Sequence, residues 1–252
     1  MHRRVKIIMQ TSCSLKTLTI LAAMLVLSGC VTTENMRLSS VVKDIVKSSN
    51  DSRDYTYFVL PNALRVLVIS DPETDKAGAA LNVGVGSLHD PVGREGLAHF
   101  LEHMLFLGTE KYPAAGEYQN FINTHGGNHN AYTAPEDTNY FFGIDKDYLE
   151  PALDRFSQFF VAPLFNKEYV AREKNAVHSE YQARLKDDTR RIYSVLQQVI
   201  NPAHPASRFN VGNLETLADR GDDTVLGELL AFYQKYYSPE LMTLVIIGKE
   251  PS

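Results

Sequence analysis

The stretch His99-Phe100-Leu101-Glu102-His103 places two imidazoles four residues apart with a carboxylate beside the second. On a helix, at about 100° per residue, His99, Glu102 and His103 fall within an arc of about 100°, so all three side chains can point at one ion and its water. Leu97, Leu101, Met104 and Leu105 lie on roughly the opposite side, which gives the helix an apolar face to bury and a separate chemical one. Neutral imidazole nitrogens suit Zn²⁺. A catalytic zinc usually takes three protein ligands, leaves the fourth position to water and lowers that water's pKa towards about 7. A carboxylate that does not bind the metal must then take the proton, and Glu102 is the candidate general base.

The pair of histidines still needs a third ligand. Residues 168–185 read as a helix on which Glu173 and Glu180 stand seven residues apart, two turns, one above the other. Val170, Val177 and Tyr181 adjoin the same side, so both carboxylates are expected to face protein. Without the histidine motif, such a helix would read as a solvated charged surface. His89, His125, His129 and His204 lie in loop-like or turn-like sequence, and His178 falls about 140° from the Glu173/Glu180 direction, so these five are expected to be structural or solvent-facing. The chain has no Gly-x-x-x-x-Gly-Lys-Ser/Thr phosphate loop, no strand-bounded Gly-x-Gly-x-x-Gly and no Cys-x-x-Cys, which removes support for nucleotide or thiol redox chemistry.

The elements that must position these residues can be read from periodicity. Residues 55–60 and 64–70 form an expected hairpin around Pro61-Asn62, and 77–85 a third strand. The motif helix should open at Asp90-Pro91 and end near Gly108. Helices at 116–123 and 149–160 flank strands at 131–134 and 139–144. Further helices are expected at 168–185, 188–199 and 224–236, with a closing strand at 242–247. The fold class is α+β: a two-layer domain with a largely antiparallel sheet covered by helices on one face.

The N-terminus carries a different message. Arg3, Arg4, Lys6 and Lys16 precede an apolar run at 18–27, too short to span a bilayer and of the length of a signal h-region. It ends in Leu27-Ser28-Gly29-Cys30, which resembles a bacterial lipobox with Cys30 as the lipidated first mature residue. The expected organisation is a lipoprotein signal peptide at 1–29, a Ser-rich tether at 30–53 with a hint of an amphipathic turn at Leu38, Val41, Val42 and Ile45, and one domain at 54–252. In a Gram-negative host, Val31 rather than Asp after the cysteine favours the outer membrane, with the domain in the periplasm. Over the whole chain 25 basic residues face 30 acidic ones; residues 1–29 hold four of the basic and none of the acidic, so the remainder carries 21 against 30, a formal charge of −9. Nucleic acid is therefore not an expected partner. The only cysteines are Cys13 and Cys30, so stability must come from a packed core rather than from disulfides.

His-x-x-Glu-His followed by Glu173-x-x-x-x-x-x-Glu180, the second glutamate 77 residues after His103, resembles the pitrilysin and insulin-degrading-enzyme family of inverted-motif zinc peptidases. The likeness extends to Gly126-Gly127-Asn128-His129-Asn130-Ala131, Glu173-Lys174-Asn175-Ala176-Val177, Asn201-Pro202-Ala203-His204-Pro205, Gly212-Asn213-Leu214-Glu215-Thr216-Leu217 and Tyr236-Tyr237-Ser238-Pro239. Most of residues 53–250 looks like the first, metal-bearing domain of such proteins, with the layering shared by mitochondrial processing peptidases. The resemblance implies zinc held by His99, His103 and Glu180, with Glu102 as base and Glu173 orienting the site from behind the ligands. It also implies a strand edge at Asn130 and Ala131 that pairs with substrate backbone, a mode nearly indifferent to side chains. The implied activity is hydrolysis of peptides. Family members are far longer, with further domains that enclose the substrate. A companion peptidase-like domain, self-association, or a non-catalytic peptide-binding module thus stand beside the enzyme as expectations.

Overall fold

The computed structural model describes residues 40–42 and 45–251, so the signal-like segment 1–29 and Cys30 lie outside the described residues. Strands β1 (Ser40–Val42), β2 (Asp54–Val59) and β3 (Arg65–Ser70) pair antiparallel in sequence. The β2–β3 turn closes through Leu60 N–H to Leu64 O and Ala63 N–H to Leu60 O, with Ala63 in the left-handed region at φ 69° and Asn62 accepting from Leu64 N–H. β1 lies inside the segment expected to be a tether. Instead of an amphipathic turn, Val41 pairs with Phe58, because β2 otherwise offers an unpaired backbone edge.

β4 (Lys76–Val83), β5 (Asn128–Thr133), β6 (Thr138–Asp145) and β7 (Met242–Gly248) complete a sheet of order β1-β2-β3-β7-β4-β6-β5. All its pairs are antiparallel except β3 with β7, so the sheet is mixed. The strand expected to close the domain is central. Alternation along β6 and β7 sends Tyr140, Phe142 and Ile144, and Met242, Leu244 and Ile246, into the core. On the opposite face Tyr57, Leu67, Val245, Ala80 and Phe141 align across five strands and are only partly buried.

The helices are α1 (Leu97–Leu105), α2 (Glu117–Thr124), α3 (Leu149–Val161), α4 (Lys167–Ala183), α5 (Asp188–Val199) and α6 (Val225–Tyr236). None of the described helices is long and apolar enough to cross a membrane. α1 starts seven residues after Asp90, later than expected, because Gly93 and Gly96 turn the chain in left-handed conformations first, at φ 80° and 92°. Asp90 still caps it: Oδ2 accepts from Gly96 N–H at 2.7 Å and Oδ1 from Ala98 N–H at 2.8 Å. Burial pushes the Asp90 carboxyl up to about 7 against the pull of those amides. Leu97, Phe100, Leu101, Met104 and Leu105 are fully buried, while the histidine face of α1 turns to α4 and β5. Arg94, just before α1, is buried, ion-pairs with Glu228 of α6 and donates to the carbonyls of Thr216, Ala218 and Asp223, fastening the loop that follows α5 onto the start of α1.

α5 is amphipathic the wrong way round. Gln197 is buried and donates to the carbonyls of Ala206 and Arg208. Ile192, Val195, Leu196 and Val199, at i, i+3, i+4 and i+7, form an outward stripe 52–77 % exposed.

Candidate metal centre

α1 and α4 pack against each other with the chemical face of one opposite that of the other. His99 Nε2 and His103 Nε2 stand 3.2 Å apart; Glu180 Oε2 lies 3.5 Å from the first and Oε1 3.6 Å from the second. Their ligand atoms fall within 4.8 Å of one another, a group that could hold a metal ion. Four donors placed about 2.05 Å from a tetrahedral zinc sit about 3.3 Å from each other, so the spacing found here fits that ion with one position left over.

The far ring nitrogens are committed. His99 Nδ1–H donates to Val211 O at 2.7 Å, and His103 Nδ1 lies 3.4 Å from Glu173 Oε2. Each bond places the hydrogen on Nδ1 and turns the Nε2 lone pair to the cluster. Glu173 is held in turn by Arg172 Nε at 2.8 Å. The hydrogen bond from His103, followed by Arg172, holds the Glu173 carboxyl below its usual range against partial burial, and His99 does the same for Glu180. For His99, burial pulls the imidazole down, but Glu180, the Val211 carbonyl and Glu102 outweigh it and the net direction is up. Val211 reaches α1 because Gly96 and Gly212 touch: a Cβ on Gly96 would collide with Gly212 backbone.

Glu102 is buried and stands apart from the three-residue group. Burial pushes its carboxyl up, opposed by a hydrogen bond from Thr133 and by the two histidines. Thr133 Oγ1 donates to Glu102 Oε2 at 2.6 Å. This partner was not found from sequence, although the alternation of β5 puts Thr133 on the same face as Ala131. Thr133 is itself fixed, since the hairpin beyond it is clamped by Ser87 N–H to Ala134 O at 3.0 Å, Leu88 N–H to Pro135 O at 2.9 Å and Thr138 Oγ1 to Val85 O at 2.8 Å. Thr133→Val is expected to release the Glu102 carboxylate and move its titration to higher pH, because this hydrogen bond opposes the effect of burial, while Thr133→Ser keeps it; an NMR titration of the Glu102 carboxyl in both variants checks this.

The cluster opens into a cleft of about 850 Å³ with β5 as one wall. β5 ends the sheet, so among the described residues its outer edge is unpaired. Asn130 is exposed and Ala131 half-buried on that strand. His129, expected in a loop, is in β5: Gly126 and Gly127 turn the chain and pairing begins at Asn128 opposite Gly143. Its ring packs edge-on against Tyr118 at 5.4 Å and lies 5.8 Å from Phe106. His89 accepts from Gly86 N–H, His204 from Ala206 N–H, and His125 stacks between Phe121 and Tyr148, all outside the cleft. His178 lies 3.4 Å from Gln182 on α4, away from the cluster.

Comparison with known proteins settles the lineage, for the family described as Insulinase (Peptidase family M16) matches residues 65–203. The chain belongs to that family. It is 46% identical over 219 residues to insulin-degrading enzyme of Homo sapiens, a match covering 86% of this chain and 22% of that enzyme. It is 45% identical over 207 residues to protease 3 of Salmonella typhimurium, covering 82% and 22%. The crystal structure of pitrilysin superposes with a TM-score of 0.80 at 43% identity, over 84% of this chain and 23% of that one. The pitrilysin-like α+β layering expected from sequence is thus present. This chain spans a little under a quarter of the length of these relatives.

Proposed function

We propose that this chain carries the metal-bearing part of a zinc metalloendopeptidase acting on peptides. The observation that carries this reading is the cluster of His99 Nε2, His103 Nε2 and a Glu180 oxygen at tetrahedral spacing, with Glu102 buried beside it and, alongside, a strand edge that is unpaired among the described residues. Zinc, when bound there, supplies an acidic water and a positive charge for the developing oxyanion. The remaining steps belong to the protein. Asn130 and Ala131 receive the substrate as an added strand, which brings one backbone carbonyl to the cluster. Glu102 removes a proton from water as its oxygen bonds to the carbonyl carbon. The same carboxyl returns that proton to the amide nitrogen as the C–N bond breaks. His99 and His103 are kept aimed by Val211 O and Glu173.

A quenched peptide incubated with the purified chain tests this. Turnover that stops with a chelator and returns with zinc supports the peptidase. Peptide bound without turnover supports instead a module that only captures peptides, which the edge of β5, unpaired among the described residues, also favours.

The exposed stripe of Ile192, Val195, Leu196 and Val199 supports a companion peptidase-like domain or self-association as its cover. Light scattering on the purified chain is expected to show a concentration-dependent species larger than the monomer, reduced by Ile192→Ser with Val195→Ser.

The N-terminal sequence supports attachment to a bacterial envelope through Cys30, facing the periplasm from the outer membrane. Two or more acyl chains hold a protein stably where one does not. Membrane fractionation is expected to find the wild type in the pellet and Cys30→Ser released.

A further inference from the structure

We infer that Arg184 and Arg190 form an anion-binding subsite in the metal cleft that selects peptides bearing an aspartate or glutamate side chain close to the cleaved bond; this rests on the peptidase reading above. Both residues line the cleft and both are exposed. Arg184 is the C-cap that follows α4, one turn beyond Glu180, and Arg190 is in the first turn of α5.

The other charged groups of the cleft are already engaged. Arg172 is held by Glu173, Glu173 also faces His103, Glu102 accepts from Thr133, and Glu180 faces both histidines. Arg191 is paired with Asp188 outside the cleft. Among the described residues the Arg184 and Arg190 guanidinium groups make no hydrogen bond or ion pair; Arg184 acts on Glu180 only through its charge. Two such groups lining one cleft, neither of them engaged, can both reach a carboxylate, which guanidinium binds through paired donors. A strand added to β5 points every second side chain to the side of Ala131 and Thr133, into the cleft that the arginines share. The net charge of −5 opposes acidic peptides at long range, but beyond about 10 Å that field is screened in ordinary salt, and the local pair decides.

The test uses C-terminally amidated quenched peptides that differ only by Glu or Gln at each of the three positions on either side of the cleaved bond. In 50 mM salt the kcat/KM ratio of Glu to Gln peptide is expected to be about tenfold at one or two alternate positions. It should shrink towards one in 0.5 M salt and be about one in Arg184→Gln with Arg190→Gln. A ratio of one at every position in the wild type, a ratio that survives the double substitution, or a preference seen only when the C-terminus is left free would each overturn the subsite. Fluorescence anisotropy of the same peptides on Glu102→Gln reads the selectivity as a Kd ratio without turnover. A wild type that fails to cleave overturns the peptidase reading, while this Kd ratio, lost or kept on adding the two arginine substitutions, still decides the subsite.

Discussion

Glu102→Gln is expected to hold about one equivalent of zinc and to lose 10²–10⁴-fold in kcat, the range that a positioned general base contributes. Glu102 is buried and bonded to Thr133, and it is not among the three residues whose donor atoms converge. Glutamine keeps the shape and can still accept from Thr133 Oγ1, so fold and metal should persist while the proton acceptor is gone. Elemental analysis alongside single-turnover hydrolysis distinguishes the outcomes. Loss of zinc would make Glu102 a ligand, and retained turnover would remove it from the chemistry.

The opposite pattern is expected for the ligands. Glu180→Ala and His103→Ala should each weaken zinc binding by more than 10²-fold, because two donors and open water replace a three-donor site; a competitive chelator titration measures it. Glu173→Gln should cost less, about 10–100-fold, since it acts on His103 from behind. The pH dependence follows from the proton that competes with the metal. The metal-free His99 imidazole is held up by Glu180, the Val211 carbonyl and Glu102 despite burial, so protons are bound more readily there than on a free histidine. Zinc affinity should therefore be full at alkaline pH and fall as pH drops through the histidine range, while Glu180, held low by His99, stays ionised throughout. Full zinc in either ligand variant would refute the assignment.

What could be read from the sequence was whatever depends on local periodicity. The spacing of His99, Glu102 and His103 on one helix, and of Glu173 and Glu180 on another, needed only 3.6 residues per turn, and the structure brings the two faces together. The strand alternation of 139–144 and 242–247 was equally visible. Contacts made by backbone from distant loops were not. Val211 orients His99 through a carbonyl that carries no sequence signature, and it reaches there only because Gly96 and Gly212 both lack a Cβ. The start of α1 was misjudged for a related reason: Asp90 caps across an intervening loop, six and eight residues away in sequence. Thr133 looked like any strand threonine, since what makes it matter is a hydrogen bond to a residue 31 positions earlier. The pairing partners of β1 and β7 are set by which edges remain open, a property of the whole sheet rather than of either segment.

The position of β7 also governs when the domain can become native. It is the last of the described strands in sequence, yet it sits between β3 and β4, so until residues 242–248 arrive the sheet can form only as two separate ribbons, β1-β2-β3 and β4-β6-β5. His99, Glu102 and His103 on α1 and Glu173 and Glu180 on α4 have been synthesised long before that, but the core that buries α1 lacks Met242, Leu244 and Ile246. Pairings between residues 65–70 and 243–248 span most of the chain, and contacts of such separation make folding slow. The nascent domain therefore stays open through almost its whole synthesis. Its histidines should acquire ordered geometry only in the final step of folding, which ties the birth of the site to the arrival of the last strand.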